Sequence, residues 1–490
     1  MRIDSYSYRD EWIPNYYPPR EVASNKHVCL SRVGTVVFLT DFEKTQLSEI
    51  FMDKYLYKKL ESSRHIITAE NATQLMKDLK IWHKNAFGGP ELHIVALTKR
   101  CNLNCTYCHM NPVAPNEDLK LFDMQPDVED AVIDFAFSSP SKFIAFEFQG
   151  GEAFLNFQGM VRFVNKVKRK NLDIGKDIYF SVVSNLTIVT DEHMQFCSDN
   201  GIQVAYTLNG PEEIHNSFRI NREGHGSFKA VIKKMEKFQK RFPDILSGYP
   251  LCVVGNDNAK YLKDTIDYFH EIGFTSIGII PLKPLGHARQ NELTFDIDDF
   301  LAYYIDALDY IYEKNKATNG CFSERIVPIL LTKILCRADT SFVDWRNPCG
   351  YFSGVITYDY DGEILPIDEA RSLRHKFSLG NVMNRSYSEM ISDRNTFQYT
   401  NLSLRDRDSE CRECSFNPYC GVSPVLDYAR TGDATPKPHR SEECRTTIAL
   451  LDWVFKKMIE DPLPLLMMLP GLDKPISELS TALKSVSSVP

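Results

Sequence analysis

Between Leu92 and Leu282, short apolar runs alternate with longer segments whose apolar positions recur every three or four residues. The runs are HIVALT (93–98), KFIAFEF (142–148), IYFSVVS (178–184), IQVAYTL (202–208), YPLCVVG (249–255) and SIGIIPL (276–282). Short, rich in β-branched and aromatic residues and bounded by polar ones, they read as buried strands. The segments between them read as amphipathic helices. The clearest follows Gly226-Ser227 and places Phe228, Val231, Ile232, Met235 and Phe238 on one stripe. Strand–helix alternation predicts parallel strands with right-handed crossovers. Six units are two short of a closed eightfold barrel, so the expected core is an α/β fold, a partial, open-sided (β/α)6 TIM barrel over 91–290 with its ligands at the C-terminal strand ends.

The flanks follow other patterns. Residues 1–90 read as a small α+β domain: a Tyr- and Pro-rich irregular arm to about residue 22, two short strands around Gly34, then helices near 41–52, 53–61 and 71–86. In the first helix Phe42, Leu47, Ile50 and Phe51 would share a face. This order resembles the small winged-helix peptide-docking domain that precedes many peptide-modifying enzymes, and such a unit binds an extended peptide at a strand edge. A plain packing extension fits the same pattern. Residues 291–345 read as a helical bridge, with stripes over 295–312 and 323–337. VITYDYDGEILPI, in a C-terminal domain over 346–450, predicts a hairpin turning at Asp361-Gly362. A closing helix is expected over 446–460, and a Pro-broken, Ser-rich flexible tail after it.

A chain of 490 residues has room for two to four domains. Its net charge of -8 argues against a general nucleic-acid binder. No apolar run approaches the ~20 residues of a membrane span. The start MRIDSYSYRDEW lacks the basic-then-apolar order of a signal peptide. The expected setting is cytoplasmic, away from membranes, where thiols stay reduced.

That setting makes the 13 cysteines informative. Cys29, Cys197, Cys252, Cys321 and Cys336 are isolated and read as small buried hydrophobes. Cys101, Cys105 and Cys108 stand close together in TKRCNLNCTYCHM, just after the first strand and so at the barrel mouth. Three thiolates on one tight loop would leave one iron of a four-iron cubane open to a small molecule. A zinc loop completed by His109 or a distant residue fits the spacing too. Other strand ends are polar as well. Gln149-Gly150-Gly151-Glu152 follows the second strand: its glycines would let the backbone approach a ligand, and Glu152 would accept from an amine. Ser184-Asn185 ends the third, and Thr207 to Pro211 the fourth, with His215 and Arg219 beyond. Singly these are turns and caps. Converging on the cysteine loop, they argue for a site.

CNLNCTYC, the GGE after the second strand and the six strand–helix units resemble the radical S-adenosylmethionine (SAM) superfamily over roughly 92–285. The resemblance implies that Cys101, Cys105 and Cys108 hold a 4Fe–4S cluster whose open iron is chelated by the amine and carboxylate of SAM. It places Gly151 and Glu152 at the SAM amino group, Ser184 and Asn185 at the ribose or carboxylate, Arg219 at the carboxylate and Tyr107 near the adenine. It also implies an external one-electron reductant such as flavodoxin or ferredoxin.

Downstream, Cys411-x2-Cys414-x5-Cys420 and Cys444 would hold zinc or an iron–sulfur cluster by spacing alone. With Cys349 and the hairpin, their order resembles the SPASM extension, which carries auxiliary clusters. Two departures stand out: Ile367 takes the place of a cysteine after the hairpin, and CGVSPV has Ser423 and Pro424 where another is usual. One auxiliary 4Fe–4S cluster is therefore expected, on Cys411, Cys414, Cys420 and Cys444, with Cys349 a remnant. PIDEARSL, FSLGNV and CGVSPVLDYARTGD resemble the maturase of the His-Xaa-Ser peptide system. In related sulfatase-maturing enzymes an aspartate at the position of Asp368 acts as a base; here Glu369 competes for the role, and a surface hairpin residue is the plain alternative. The resemblance implies a radical maturase that crosslinks a ribosomally made peptide at an unactivated carbon. Formylglycine generation on a sulfatase is one alternative, and a zinc-stabilised peptide-binding protein without radical chemistry is another.

Overall fold

The computed structural model describes residues 5–6, 12–49, 52–84, 88–246, 248–293, 296–337, 342–433, 435, 437, 439 and 441–469. The N-terminal unit is built on an antiparallel sheet of β1 (Arg20–Ala23), β2 (Lys26–Leu30) and β3 (Val36–Thr40). Gly34 turns the chain between β2 and β3 with φ +69°, and a Cβ there would lie 2.5 Å from the Trp82 ring. Helices α1 (Asp41–Gln46), α2 (Lys54–Ser62) and α3 (Ala72–Trp82) follow, three as the pattern predicts. Two details differ. The arm expected to be irregular pairs instead, Ser5–Tyr6 with Met52–Asp53 and Ile13–Pro14 with Ile66–Ile67, and β1 begins within its end; residues 1–4 and 7–11 are outside the described residues. And α1 ends at Gln46, because its side chain bonds the Asp53 carboxylate and main-chain N–H, both at 2.8 Å, while Asp53 caps α2. The Thr40–Glu43 capping box sets the phase of α1 so that Phe42 points to solvent, 70% exposed, rather than into a stripe. Ile50 and Phe51 lie outside the described residues.

The six expected strands all form. β4 (Leu92–Ala96), β5 (Phe143–Gln149), β6 (Asp177–Ser184) and β7 (Ile202–Tyr206) pair in parallel, as do β8 (Leu251–Val254) and β9 (Ser276–Pro281). Parallel bridges Val204–Leu246 and Thr207–Leu251 join the two sets. Along β5 the side chains alternate. Ile144, Phe146 and Phe148 are buried, the two phenylalanines packing on Phe163 of the helix that follows, while Glu147 and Gln149 face a cavity on the opposite side. Helices α4 (Pro126–Phe137) and α5 (Phe157–Ile174) pack on each other outside this sheet. α6 (Glu212–Phe218) follows β7, and α7 (Phe228–Arg241) buries Val231, Met235 and Phe238 of the expected stripe.

The sheet does not end with these six. After α8 (Ile297–Thr318), β10 (Ser323–Glu324) pairs in parallel with β9, and only at Ile326 does α9 (Ile326–Cys336) begin. The pattern predicts helix throughout 323–337; the free edge of β9 offers unpaired N–H and C=O groups that Ser323 and Glu324 satisfy instead. At the opposite edge β11 (Val355–Tyr358) pairs in parallel with β4, and β12 (Ile364–Leu365) lies antiparallel beside it. The hairpin therefore extends the barrel sheet.

Glu324, fully buried, accepts hydrogen bonds from the N–H groups of Ile326 (2.8 Å) and Ile279 (3.4 Å). Burial outweighs those bonds and pushes its carboxyl up to about 7. A carboxyl raised in the folded state stabilises below its unfolded pKa, and that contribution is lost as pH rises through the folded value. Between about pH 4.5 and 7 the fold should lose stability on the order of 3 kcal/mol from this group. Tm measured against pH should show the decline, and Glu324→Gln should flatten it.

Two further elements close the chain: α10 (Pro424–Thr431) and α11 (Glu442–Glu460). α11 starts four residues before the expected 446, because Ser441 caps it by accepting from the Cys444 N–H (3.0 Å), which brings Cys444 into the first turn. The tail is not loose from Asp461. Pro462–Leu466 is a short helix whose apolar run finds a surface against α8 and α11, burying Leu465, Leu466 and then Met468, and the Tyr312 hydroxyl donates to the Asp461 carbonyl (2.7 Å). Residues 470–490 of the expected tail lie outside the described residues. Cys29, Cys197 and Cys252 are buried, but Cys321 and Cys336 are exposed, the first in the loop before β10 and the second at the end of α9. No helix among the described residues is long and apolar enough to cross a membrane.

Candidate functional site

Beyond β4 the chain enters the loop of Cys101, Cys105 and Cys108, which is bonded on several sides. The N–H groups of Cys101, Asn104 and Thr106 donate to the carbonyls of Val113, Ile220 and Phe218 at 3.0, 2.8 and 2.9 Å. Arg100 grips Asp123 with two bonds of 2.8 Å. From sequence, Gly150 and Gly151 are expected to admit a ligand; here they admit the stem of this loop. The Gly151 N–H donates to the Thr98 carbonyl (2.8 Å), and Cβ atoms on Gly150 and Gly151 would lie 2.4 and 2.3 Å from the carbonyl oxygens of Thr98 and Arg100.

Cys101 and Cys105 are buried and Cys108 half-buried. Burial first, and the Cys105 charge second, push Cys101 well above the usual thiol range and Cys108 up to about 11. Around them stand the other strand-end residues. The Asn185 amide donates to Asn102 (2.9 Å) and reaches the Cys101 sulfur at 3.8 Å. The Arg219 Nη1 donates to the Tyr107 hydroxyl (2.7 Å), which Asn209 also contacts. The Arg219 Nε is buried with no hydrogen-bond partner among the described residues. His215 sits behind, accepting from the Asn209 N–H at 3.3 Å and bonded to Ser227 at 2.9 Å; burial drops its pKa to about 2, so the ring is neutral. Glu152 lies behind the wall. Its buried carboxylate accepts from the Ser184 hydroxyl (2.8 Å) and the N–H groups of Asn185 (2.7 Å) and Phe154 (3.3 Å), tying β5 to β6, and burial raises its pKa.

These groups open onto a cavity of about 1550 Å³ whose wall includes the three cysteines, Tyr107, Gly151, Ser184, Asn185 and Arg219. Asp368 is on that wall too. It follows β12, and its Oδ2 lies 3.5 Å from the His109 Nε2. The segment after it is locked to the cysteine loop: the Ser372 hydroxyl donates to the His109 carbonyl, and Arg371 reaches the Gly150 carbonyl (3.3 Å) and the Met110 sulfur (3.1 Å). Burial acts to raise the Asp368 carboxyl, but His109, with Lys283 and Arg371, overcomes it and holds the group below its usual value, ionised at neutral pH. Glu369, the competing carboxylate, is ion-paired with Lys283. Neither Lys283 nor Arg371 stands out in sequence, although Lys283 follows the sixth strand and the strand-end logic applied to the other strands would have found it.

The second set of cysteines lies behind this wall, near enough for their charges to act on one another, while among the described residues no three metal-ligating side chains stand in a preformed metal site. Burial first, then the Asp408 charge and the neighbouring cysteines, raise Cys411 above the usual range, and burial with the charges of Cys420 and Cys414 raises Cys444 to about 12. The loop of Cys420 backs directly on the cavity: a Cβ on Gly421 would lie 1.6 Å from the Asp344 carbonyl oxygen, and both residues line the wall. Cys349 is fully buried, its thiol donating to the Val343 carbonyl (3.7 Å). The Tyr351 hydroxyl bonds Ser423, and Ile367 is buried, at the two positions where the expected cysteines are missing. One thiol cannot hold a cluster; four can, and three beside an uncommitted guanidinium N–H suit a cluster with an anionic ligand.

Residues 95–269 match the model of the Radical SAM superfamily. A cysteine-type anaerobic sulfatase-maturating enzyme of Clostridium novyi is 24% identical over 343 residues, covering 66% of this chain and 84% of that protein. A serine-type anaerobic sulfatase-maturating enzyme of Bacteroides thetaiotaomicron is 22% identical over 351 residues, covering 69% of this chain and 83% of the other. Among solved structures, native anSMEcpe with bound AdoMet superposes with a TM-score of 0.63 at 22% identity over 76% of this chain and 98% of that chain. Streptococcus suis SuiB bound to precursor peptide SuiA superposes with a TM-score of 0.52 at 11% identity over 89% and 99%. The two superpositions show a common fold.

Proposed function

We propose that this chain, an enzyme built on a radical SAM domain at residues 95–269, removes two hydrogens from a residue of a peptide or protein substrate. The observation that carries this reading is one cavity wall shared by the three-cysteine loop, the ionised Asp368 and the backbone of the four-cysteine loop. When bound, a 4Fe–4S cluster with SAM supplies a 5′-deoxyadenosyl radical that takes a hydrogen atom, and an auxiliary cluster supplies an acceptor for one electron. Cys101, Cys105 and Cys108 would hold the first cluster, and Cys411, Cys414, Cys420 and Cys444 the second. Tyr107, Gly151, Ser184, Asn185 and Arg219 shape the place for SAM, the free Nε of Arg219 suiting its carboxylate. Glu152 acts there through Ser184 and Asn185.

Asp368 receives the second hydrogen as a proton. His109, Lys283 and Arg371 keep it ionised and so ready to accept at neutral pH. At about 1550 Å³ the cavity exceeds the ~300–1,000 Å³ of ordinary small-molecule sites and has room for a peptide segment beside SAM. Residues 1–90 offer a sheet edge to which an extended peptide would add. An external one-electron reductant completes the cycle.

Two products fit. A crosslink at an unactivated carbon is supported by the segments that resemble the His-Xaa-Ser maturase. Formylglycine is supported by the relatives that mature sulfatases. Anaerobic incubation of the reduced enzyme with SAM and a candidate peptide separates them. A loss of two hydrogens with no capture by a carbonyl reagent identifies the crosslink, capture identifies formylglycine, and absence of 5′-deoxyadenosine would overturn the radical reading. In the same assay Asp368→Asn should still form 5′-deoxyadenosine, while modified peptide falls by about 10²-fold or more.

A further inference from the structure

We infer that Arg405 sets the reduction potential of the four-cysteine site upward, making it the better electron acceptor; this rests on the auxiliary cluster proposed there. Arg405 stands just ahead of the cysteines and is 4% exposed. Its Nη1 donates to the main-chain carbonyls of Asn417 and Cys420, and its Nε is buried with no hydrogen-bond partner among the described residues. Asn417 passes the grip on: its side-chain amide donates to the Cys411 carbonyl (2.8 Å) and its N–H to the Cys414 carbonyl (3.0 Å). One guanidinium thus clasps the turn that carries Cys411, Cys414 and Cys420. The N-terminal unit closes the other side, the Tyr17 hydroxyl donating to the Asn417 side-chain oxygen (3.0 Å).

An arginine keeps its proton in a protein, so Arg405 is a fixed positive charge. Its guanidinium bonds the carbonyl of Cys420, one of the four ligands, directly. Among the described residues its guanidinium hydrogen bonds go to neutral carbonyls and none to a carboxylate. Asp406, next in the chain, accepts from the Asn347 amide (3.0 Å), and Asp408 accepts from the N–H groups of Glu410 and Cys411 and faces the His439 ring at 3.4 Å. An iron–sulfur site gains one unit of negative charge on taking an electron, and a buried fixed cation favours that reduced form. The clasp therefore combines placement of the loop with a bias toward accepting the electron left on the substrate carbon.

The test uses the full chain carrying Cys101→Ala, Cys105→Ala and Cys108→Ala, so that only the four-cysteine site is loaded with iron and sulfide. Its midpoint potential is read by an EPR-monitored redox titration. Arg405→Met should shift the midpoint downward with iron content unchanged, and Arg405→Lys, which keeps the charge, should stay near the parent. An unchanged midpoint in an iron-replete Arg405→Met protein would overturn the inference. If that variant loses iron, Arg405→Gln and Arg405→Lys decide: a potential that follows the charge upholds it, and one that ignores the charge overturns it. A parent that binds no iron overturns it together with the auxiliary-cluster reading, which the iron analysis alone identifies.

Discussion

Replacement of Cys105 by alanine should yield a folded protein that forms no 5′-deoxyadenosine above the enzyme-free level. The main chain at Cys105 is bonded independently of its sulfur: its carbonyl accepts from the Cys108 N–H and contacts the His287 ring, both at 3.2 Å. The loop is further anchored at Val113, Ile220 and Phe218. Removing one buried sulfur should cost no more than about 1 kcal/mol, a Tm change of about one degree for a chain this long. The chemical loss should be total, because two remaining thiolates cannot retain a cluster that leaves only one iron free. Iron analysis should show the loss of about four atoms per chain, and chromatography of the SAM products should show no cleavage. Zinc in place of iron in the parent protein, with no SAM cleavage, would sink the radical reading and favour the three-cysteine zinc loop.

Gly421→Ala should separate the two cysteine sites. The added Cβ would meet the Asp344 carbonyl oxygen at 1.6 Å, a main-chain atom that no rotamer change can move. The loop carrying Cys420 must then shift off the cavity wall, at a cost of about 1–3 kcal/mol or more. The three-cysteine loop shares none of these bonds, so 5′-deoxyadenosine should still form while modified peptide disappears and the iron of the second site falls. Gly432→Ala serves as the control: a Cβ there meets nothing within 4 Å, so only the cost of its φ of +72° applies, about 1 kcal/mol. Full product from Gly421→Ala would show that the contact with Asp344 does not place the second site.

The two substitutions also mark where sequence reasoning reaches. Cys101, Cys105 and Cys108 lie on one short loop after an apolar run, and strand periodicity is local, so their position at a strand end could be read directly. The same holds for the six strands. The partners of Gly150 and Gly151 could not be read, because a glycine states only that room is needed and not for what. Glu152 fits its expected neighbourhood, yet its lone pairs go to Ser184, Asn185 and Phe154, bonds that depend on where β6 lies beside β5.

What the sequence determined by itself is the set of chemical groups and their spacing along the chain: two groups of thiols, polar strand ends, and a hairpin with Asp368 after it. What only the tertiary structure decided is that these act on one space. His93 of β4 and Tyr358 of β11 are hydrogen-bonded at 2.8 Å although 265 positions apart, and that pairing carries Asp368 to His109 and the cysteine loop. The edge of a sheet exposes the same N–H and C=O groups whatever the side chains, so the pattern of a strand announces that it will pair without naming its partner. The partner was settled by which edge of the barrel was free.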